Sequence, residues 1–204
     1  IFAIHGLGGD KFRTWTDNGK LWLRDLLPEQ LPEARIFTYG YDSTVAFSKS
    51  SAEVDDFARD FLHRVNSVRN SNAEQTRRVV FICHSLGGLL FKQALVLCNN
   101  DQKYRHLLER IHGVVFMGTP HGGSDIAFWA SYAGNLINAV SFGTRTNKDL
   151  LGVLRKDSSF LGSLSQKFVL QSRFMHILSF YETEKFPLLN CRVSKNPTRS
   201  FERF

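Results

Sequence analysis

The stretch VVFICHSLGGLLFKQALVL, Val79 to Leu97, constrains the fold more than any other part of the chain. Its apolar opening, bounded by polar residues and rich in β-branched and aromatic side chains, reads as a buried strand. His84 and Ser85 follow, then Leu86 and two glycines, and an apolar helix begins at once. A strand that turns this sharply into a helix can hold the Ser85 hydroxyl exposed at the top of the turn, the arrangement known as a nucleophile elbow. The same letters also suit a buried strand, a glycine turn and a core helix without chemistry.

The rest of the chain supplies a sheet for such a turn to sit on. IFAIH, ARIFTYGY, RRVVFICH, IHGVVFMGTP and RFMHILSFY read as five strands. SAEVDDFARDFLHRVNSVR has helical apolar spacing at Val54, Phe57, Phe61, Leu62 and Val65, with Ser51 as its N-cap. Strands alternating with helices predict an α/β fold with a mostly parallel, doubly wound sheet. About fifty residues separate the fourth and fifth strands, too many for a simple crossover, and they read as a helical insertion. It is either a lid over the site or helical cover for the sheet. The apolar mixture of Phe128, Trp129, Tyr132, Leu136 and Ile137 suits a lid that forms an acyl-binding wall over Ser85.

Composition narrows the function classes. A chain of 204 residues, 43% hydrophobic and 22% charged, suits one globular domain. The three cysteines, Cys83, Cys98 and Cys191, are odd in number and widely spaced, which suggests neither a disulfide framework nor a metal site and fits a reducing compartment. No stretch approaches the ~20 apolar residues that span a bilayer, and the start carries no signal-peptide pattern. Ile1 already lies in a strand pattern, so the chain is expected to be a piece of something longer. The net charge of +7 invites a nucleic-acid reading. Basic residues are scattered among acidic ones, however, and collect only in the tail at Arg192, Lys195, Arg199 and Arg203, so no nucleic acid is expected. The tail reads as solvated, with peripheral contact to an anionic membrane left open.

Ligands in such sheets bind at the carboxyl ends of the strands. Three loops there carry unusual residues: His5-Gly6-Leu7-Gly8-Gly9, His84-Ser85-Leu86-Gly87-Gly88, and Gly118-Thr119-Pro120-His121-Gly122-Gly123-Ser124. A serine hydroxyl is a poor nucleophile until a base takes its proton, and its attack on an ester creates an oxyanion that needs donors already in place. In an elbow the residue after the serine gives one backbone N–H, here Leu86, and the loop after the earlier strand gives another, here Leu7 with Gly6 beside it. Ser85 Oγ is therefore expected within a few ångströms of the Leu7 and Leu86 nitrogens.

Taken in order, IFAIHGLGGDKFRTWT, WLRDLLPEQLPEARIFTYGYDS, VVFICHSLGGLLFKQALVL, GVVFMGTPHGGSDIAFWA and ILSFYET resemble the lipase-like serine esterase domain of the α/β-hydrolase superfamily found at the N-terminus of fungal NOD-like receptors. That domain is related to PGAP1-like lipases and to serine-active-site proteins linked to phospholipid remodelling at mitochondria and endoplasmic reticulum. The resemblance covers residues 1–184 and leaves 185–204 as a divergent or truncated basic tail. It implies hydrolysis of carboxylic esters, with lipid-like acyl esters as substrates, no cofactor and no metal. It implies an intracellular, cytoplasmic location or a peripheral one at either organelle. In the receptors a NACHT or NB-ARC module follows; no GxxxxGK[ST] motif occurs here, so such a module would lie outside this chain.

Two positions depart from the family pattern. Cys83 stands where Gly usually precedes the serine by two residues, which suggests a tolerated small substitute; a redox role is the sharper alternative. The triad order is Ser, acid, His. The acid position points to Glu182, with Glu184 and Asp125 as weaker candidates, but no histidine follows: the last is His176. The chain is thus expected to lack the final strand and the loop that carries the base. His84 is expected to point away from Ser85, and His5 and His121 to brace their loops. His63, His106 and His112 read as ordinary helix-associated residues. A metal hydrolase built from His5, His84 and His121 has no supporting ligand spacing. The opposing function class is a non-catalytic effector or interaction domain that keeps the fold after losing the triad.

Overall fold

All five apolar runs pair into one parallel sheet. The computed structural model describes residues 1–43, 51–119, 121 and 158–180. In chain order come β1 (Phe2–Ile4), a short antiparallel pair β2 (Thr16–Asp17) and β3 (Lys20–Leu21), β4 (Phe37–Tyr39), β5 (Val79–His84), β6 (Ile111–Met117) and β7 (His176–Phe180). The sheet order is β4-β1-β5-β6-β7, with every neighbouring pair parallel. The chain thus leaves β1 toward one edge, makes β4, and returns to the other side of β1 for β5. That reversal creates a topological switch point between β1 and β5, where the loops after the two strands diverge and leave a crevice.

The small β2–β3 hairpin is absent from the sequence reading. Its turn, Asn18-Gly19, has φ values of 48° and 76°. An Asn-Gly pair is the usual choice for a two-residue turn that needs two left-handed residues, so the signal was present in the letters DNGK.

Helices cover both faces unequally. The longer ones are α3 (Ser51–Ser67), α5 (Gly87–Asn100) and α7 (Ser158–Gln171); shorter ones are α1 (Trp22–Asp25), α2 (Leu27–Gln30), α4 (Asn72–Thr76) and α6 (Arg105–Leu108). Helix α3 starts at Ser51; of its predicted apolar stripe, Val54, Phe61, Leu62 and Val65 are buried, and Phe57 is half-buried against the same core. Helix α5 is buried from Gly87 to Cys98 because α3 and α7 flank it while the sheet lies beneath. Phe81, Phe91, Phe116 and Phe168 interlock there with centroid separations of 4.7–6.3 Å. Each such side chain removed from water contributes about 1.5–3 kcal/mol. On the opposite face Trp15 and Leu23 close over Ala3 and Ile82.

Helix α7, the described part of the β6–β7 insertion, packs Leu164 and Phe168 inward beside α5, as cover for the sheet. The apolar segment expected to form a lid, from Phe128 to Ile137, lies outside the described residues. So do the tail at 185–204 and the region where a last strand would fall.

Candidate active site

Ser85 sits between the end of β5 and the start of α5 with φ of +50°. Among the described residues only Asn18 shares a positive φ without being glycine. A left-handed serine stores about 1 kcal/mol or more, and such strain persists only where neighbours over-determine the backbone. Here they do. The Ser85 N–H donates to the Met117 carbonyl at 2.8 Å, which continues the β5–β6 ladder one residue past the strand. The Ser85 carbonyl accepts from Thr119 Oγ1 at 3.0 Å and from the Gly88 N–H at 3.1 Å.

The loop after β1 is pressed against this turn. A methyl group built on Gly6 would lie 2.7 Å from Ser85 Cβ and 2.9 Å from the His84 carbonyl oxygen, so only glycine fits. Gly6 and Ser85 are thereby brought together from opposite sides of the switch point, with Leu7 and Leu86 next to them and both buried. Among the described residues neither the Leu7 nor the Leu86 N–H donates a hydrogen bond. Leu86 also precedes the first turn of a 14-residue helix, where the unpaired amide groups give a positive potential.

The HGLGG loop is held by its own network. Gly6 and Gly9 close a turn at 3.1 Å, and the Gly8 N–H donates to Ser43 Oγ at 3.0 Å. His5 Nδ1–H donates to the Gly6 carbonyl at 2.9 Å, so Nε2 is the acceptor for the Tyr41 N–H at 3.4 Å. Tyr41 stacks on the imidazole at 4.5 Å and its hydroxyl donates to the His5 carbonyl at 2.9 Å. Both ring nitrogens of His5 are therefore engaged, and burial lowers its pKa.

Of the other histidines, His84 keeps its Nδ1 beside the Gly6–Ser85 contact, 3.0 Å from where a methyl on Gly6 would fall, buried and without a hydrogen-bond partner among the described residues. His84 turns its ring edge to Trp15 at 6.5 Å, and burial lowers its pKa. His121 Nε2 lies 3.4 Å from Ser179 Oγ and its ring meets Phe116 edge-on at 4.8 Å. Burial, with Lys92 as the lesser cause, pulls the His121 pKa down to about 3, too low for an efficient base at neutral pH. His106 pairs with Asn66, and His112 meets His176 across adjacent strands. All seven histidines are described, and no hydrogen bond joins any of them to Ser85 Oγ. Glu182, Glu184 and Asp125 lie outside the described residues. Among the described residues no three His, Cys, Asp or Glu side chains are grouped as a metal site would require.

Three contributors were not singled out from sequence. Thr119 locks the elbow carbonyl, and Tyr41 and Ser43 hold the HGLGG loop from 36 and 35 residues away. Only Thr119 had a local signal, its place in the strand-end loop GTPHGG. Cys83 is fully buried in the main core, and burial raises its thiol pKa.

Residues 4–148 match the family described as PGAP1-like alpha/beta domain. Protein SERAC1 of Danio rerio is 27% identical over 206 residues, and Protein SERAC1 of Homo sapiens 26% over 205; each alignment covers 90% of this chain. The chain spans only 30% of the length of these relatives. Among solved structures, the mature lipase BlEst2 of Bacillus licheniformis superposes with a TM-score of 0.56 at 16% identity, over 90% of this chain and 65% of that one. That likeness carries the fold: a parallel five-stranded sheet with helices, in the α/β-hydrolase arrangement. No helix among the described residues is long and apolar enough to cross a membrane.

Proposed function

This chain belongs to the PGAP1-like alpha/beta domain family, and from that premise we propose that it is the catalytic fold of a serine hydrolase acting on carboxylic esters, with lipid-like acyl esters as substrates. The observation that carries the proposal is the left-handed Ser85 at the switch point, clamped by Met117 and Thr119 and faced by Gly6.

Ser85 Oγ attacks the ester carbonyl while a base accepts its proton. The negative charge that develops on the carbonyl oxygen is met by the Leu7 and Leu86 N–H groups, whose lack of other described acceptors suits that role. Collapse expels the alcohol, which takes the proton from the base, and water then hydrolyses the acyl-serine by the same steps in reverse. Glu182 is assigned as the acid that orients the base. The family order places the base after that acid, and residues 183–204 contain no histidine.

A second reading, a non-catalytic interaction domain in a multidomain protein, gains from one observation: among the described residues no hydrogen bond joins a histidine to Ser85 Oγ. A NACHT or NB-ARC partner module, and a cytoplasmic setting or one peripheral to mitochondria or endoplasmic reticulum, belong to the same level of proposal. Fluorophosphonate labelling and p-nitrophenyl ester turnover decide between the readings. Residues 1–204 should be nearly inert, since losing a triad member removes several orders of magnitude in rate. A form extended downstream to include the base should label at Ser85 and lose turnover on Ser85→Ala. No labelling of the extended form would favour the interaction domain, and strong Ser85-dependent turnover by residues 1–204 would show that one of the seven histidines serves as base.

A further inference from the structure

Two residues at the end of β6 grip the chain on either side of Ser85. The Met117 carbonyl accepts the Ser85 N–H at 2.8 Å, and Thr119 Oγ1–H donates to the Ser85 carbonyl at 3.0 Å. Gly118 between them has a φ of +58°, and its N–H donates to the Phe180 carbonyl of β7 at 2.8 Å. That left-handed residue turns the chain so that Met117 and Thr119 both reach Ser85.

Thr119 has little freedom. It is only 3% exposed, and a methyl group on Gly88 would collide with both its Oγ1 and its Cγ2, so the first turn of α5 presses on both arms of the side chain. A β-branched side chain is already stiff about χ1, and this contact keeps the hydroxyl at the Ser85 carbonyl. The Gly88 N–H bonds the same carbonyl at 3.1 Å, but it moves with the helix. Thr119 ties that oxygen to the sheet.

The Ser85 carbonyl and the Leu86 N–H belong to one peptide unit. The unit is planar and trans, so its C=O and N–H point in opposite directions, and whatever fixes the oxygen also fixes the N–H. Sheet order places β6 and β1 on opposite sides of β5. A carbonyl held from the β6 loop therefore turns the Leu86 N–H away from that loop, toward the side of β1 and HGLGG. An oxyanion donor contributes most when it is already aimed at the place where charge develops. We propose that Thr119 is a positioning residue whose hydroxyl holds the Ser85–Leu86 peptide so that the Leu86 N–H faces the ester oxygen in the transition state. This role rests on Ser85 as the nucleophile and Leu86 as an oxyanion donor.

Thr119→Val keeps the shape and removes the hydroxyl, whereas Thr119→Ser keeps the hydroxyl; circular dichroism checks that both fold, and Thr119→Ala gives a second reading of the loss. In residues 1–204, the residual dipolar coupling of the Leu86 N–H in an aligned sample reports the direction of that bond. It should change in Thr119→Val while couplings along β5 stay constant, and return to the wild-type value in Thr119→Ser. In the form extended to include the base, Thr119→Val should lower kcat for a p-nitrophenyl ester about 10- to 100-fold with KM held within about twofold, because the lost interaction belongs to the transition state. Thr119→Ser should recover most of that rate. An unaltered Leu86 coupling in Thr119→Val, a raised KM at constant kcat, or no rescue by serine would overturn the proposal and leave Thr119 a purely structural residue. An inert wild-type extended form would instead sink the hydrolase reading, and the dipolar coupling would then decide alone whether Thr119 orients this peptide.

Discussion

Gly87 lies against the carbonyl oxygen of Ile4: a methyl group on it would come 2.6 Å from that oxygen and 2.5 Å from the carbonyl oxygen of His5. Both neighbours are backbone atoms of β1 and its loop, so neither can swing aside. The first turn of α5 thus rides directly over the strand that carries the HGLGG loop, and this contact sets the distance between that loop and Ser85.

Gly87→Ala should destabilise the protein despite alanine's better helix propensity. Overpacking against fixed backbone costs about 1–3 kcal/mol, which outweighs a propensity gain of about 1 kcal/mol. Gly162→Ala in α7 is the control, because nothing lies within 4 Å of the added methyl, and it should gain about 0.5–1 kcal/mol. Urea denaturation of both variants checks the contrast; equal effects would show that the α5–β1 approach is not tight.

The strain at Ser85 has a direct readout. Ser85→Gly should be more stable than Ser85→Ala by about 1 kcal/mol, because glycine alone adopts a φ of +50° without steric cost. Chemical denaturation of the two variants gives the difference. Ser85→Ala equalling or exceeding Ser85→Gly would mean that the turn relaxes out of the left-handed region.

Lys92 makes stability depend on alkaline pH. It is 1% exposed on α5, with Nζ 5.5 Å from the Phe168 ring centroid and 5.8 Å from that of Phe116. Burial pulls its pKa from 10.5 to about 8. The folded-state value is depressed, so below pH 8 both states are charged and the folded protein carries the full burial penalty. Between pH 8 and 10.5 the unfolded chain holds the proton that the folded one has lost, and this contribution to stability rises with pH. The change amounts to at most about 3 kcal/mol. Measured against Lys92→Met, the wild type should therefore gain relative stability over that range. A gap that stays constant would refute it.

The two core thiols should be silent in the folded state. Cys83 and Cys98 are fully buried, and burial raises both pKa values, that of Cys98 to about 12. Since the thiolate is the reactive form, a disulfide-exchange reagent should reach neither before denaturation. Rapid modification of Cys83 in the native protein would instead support the redox reading of that position.

Much of the fold was legible because it is local. A strand, a left-handed turn and a helix are each specified by neighbours in sequence, so the apolar run before Ser85 and the glycines after it already determined the elbow, and the alternation of strands and helices determined a parallel sheet. The helical spacing in 51–67 buried four of the five side chains it named and left Phe57 half-buried. What the tertiary structure alone decided is which distant residues share a space. Gly6 meets Ser85, and Thr119 meets the Ser85 carbonyl, because strand order and crossover path place them there, and a pattern of period two or 3.6 carries no information about that path. The same holds for His5 and His121: in sequence each is a histidine beside glycines. Only the fold shows one with both ring nitrogens occupied and the other desolvated until it is a poor base, since pKa and hydrogen bonding are set by whatever packs nearby rather than by the residues on either side.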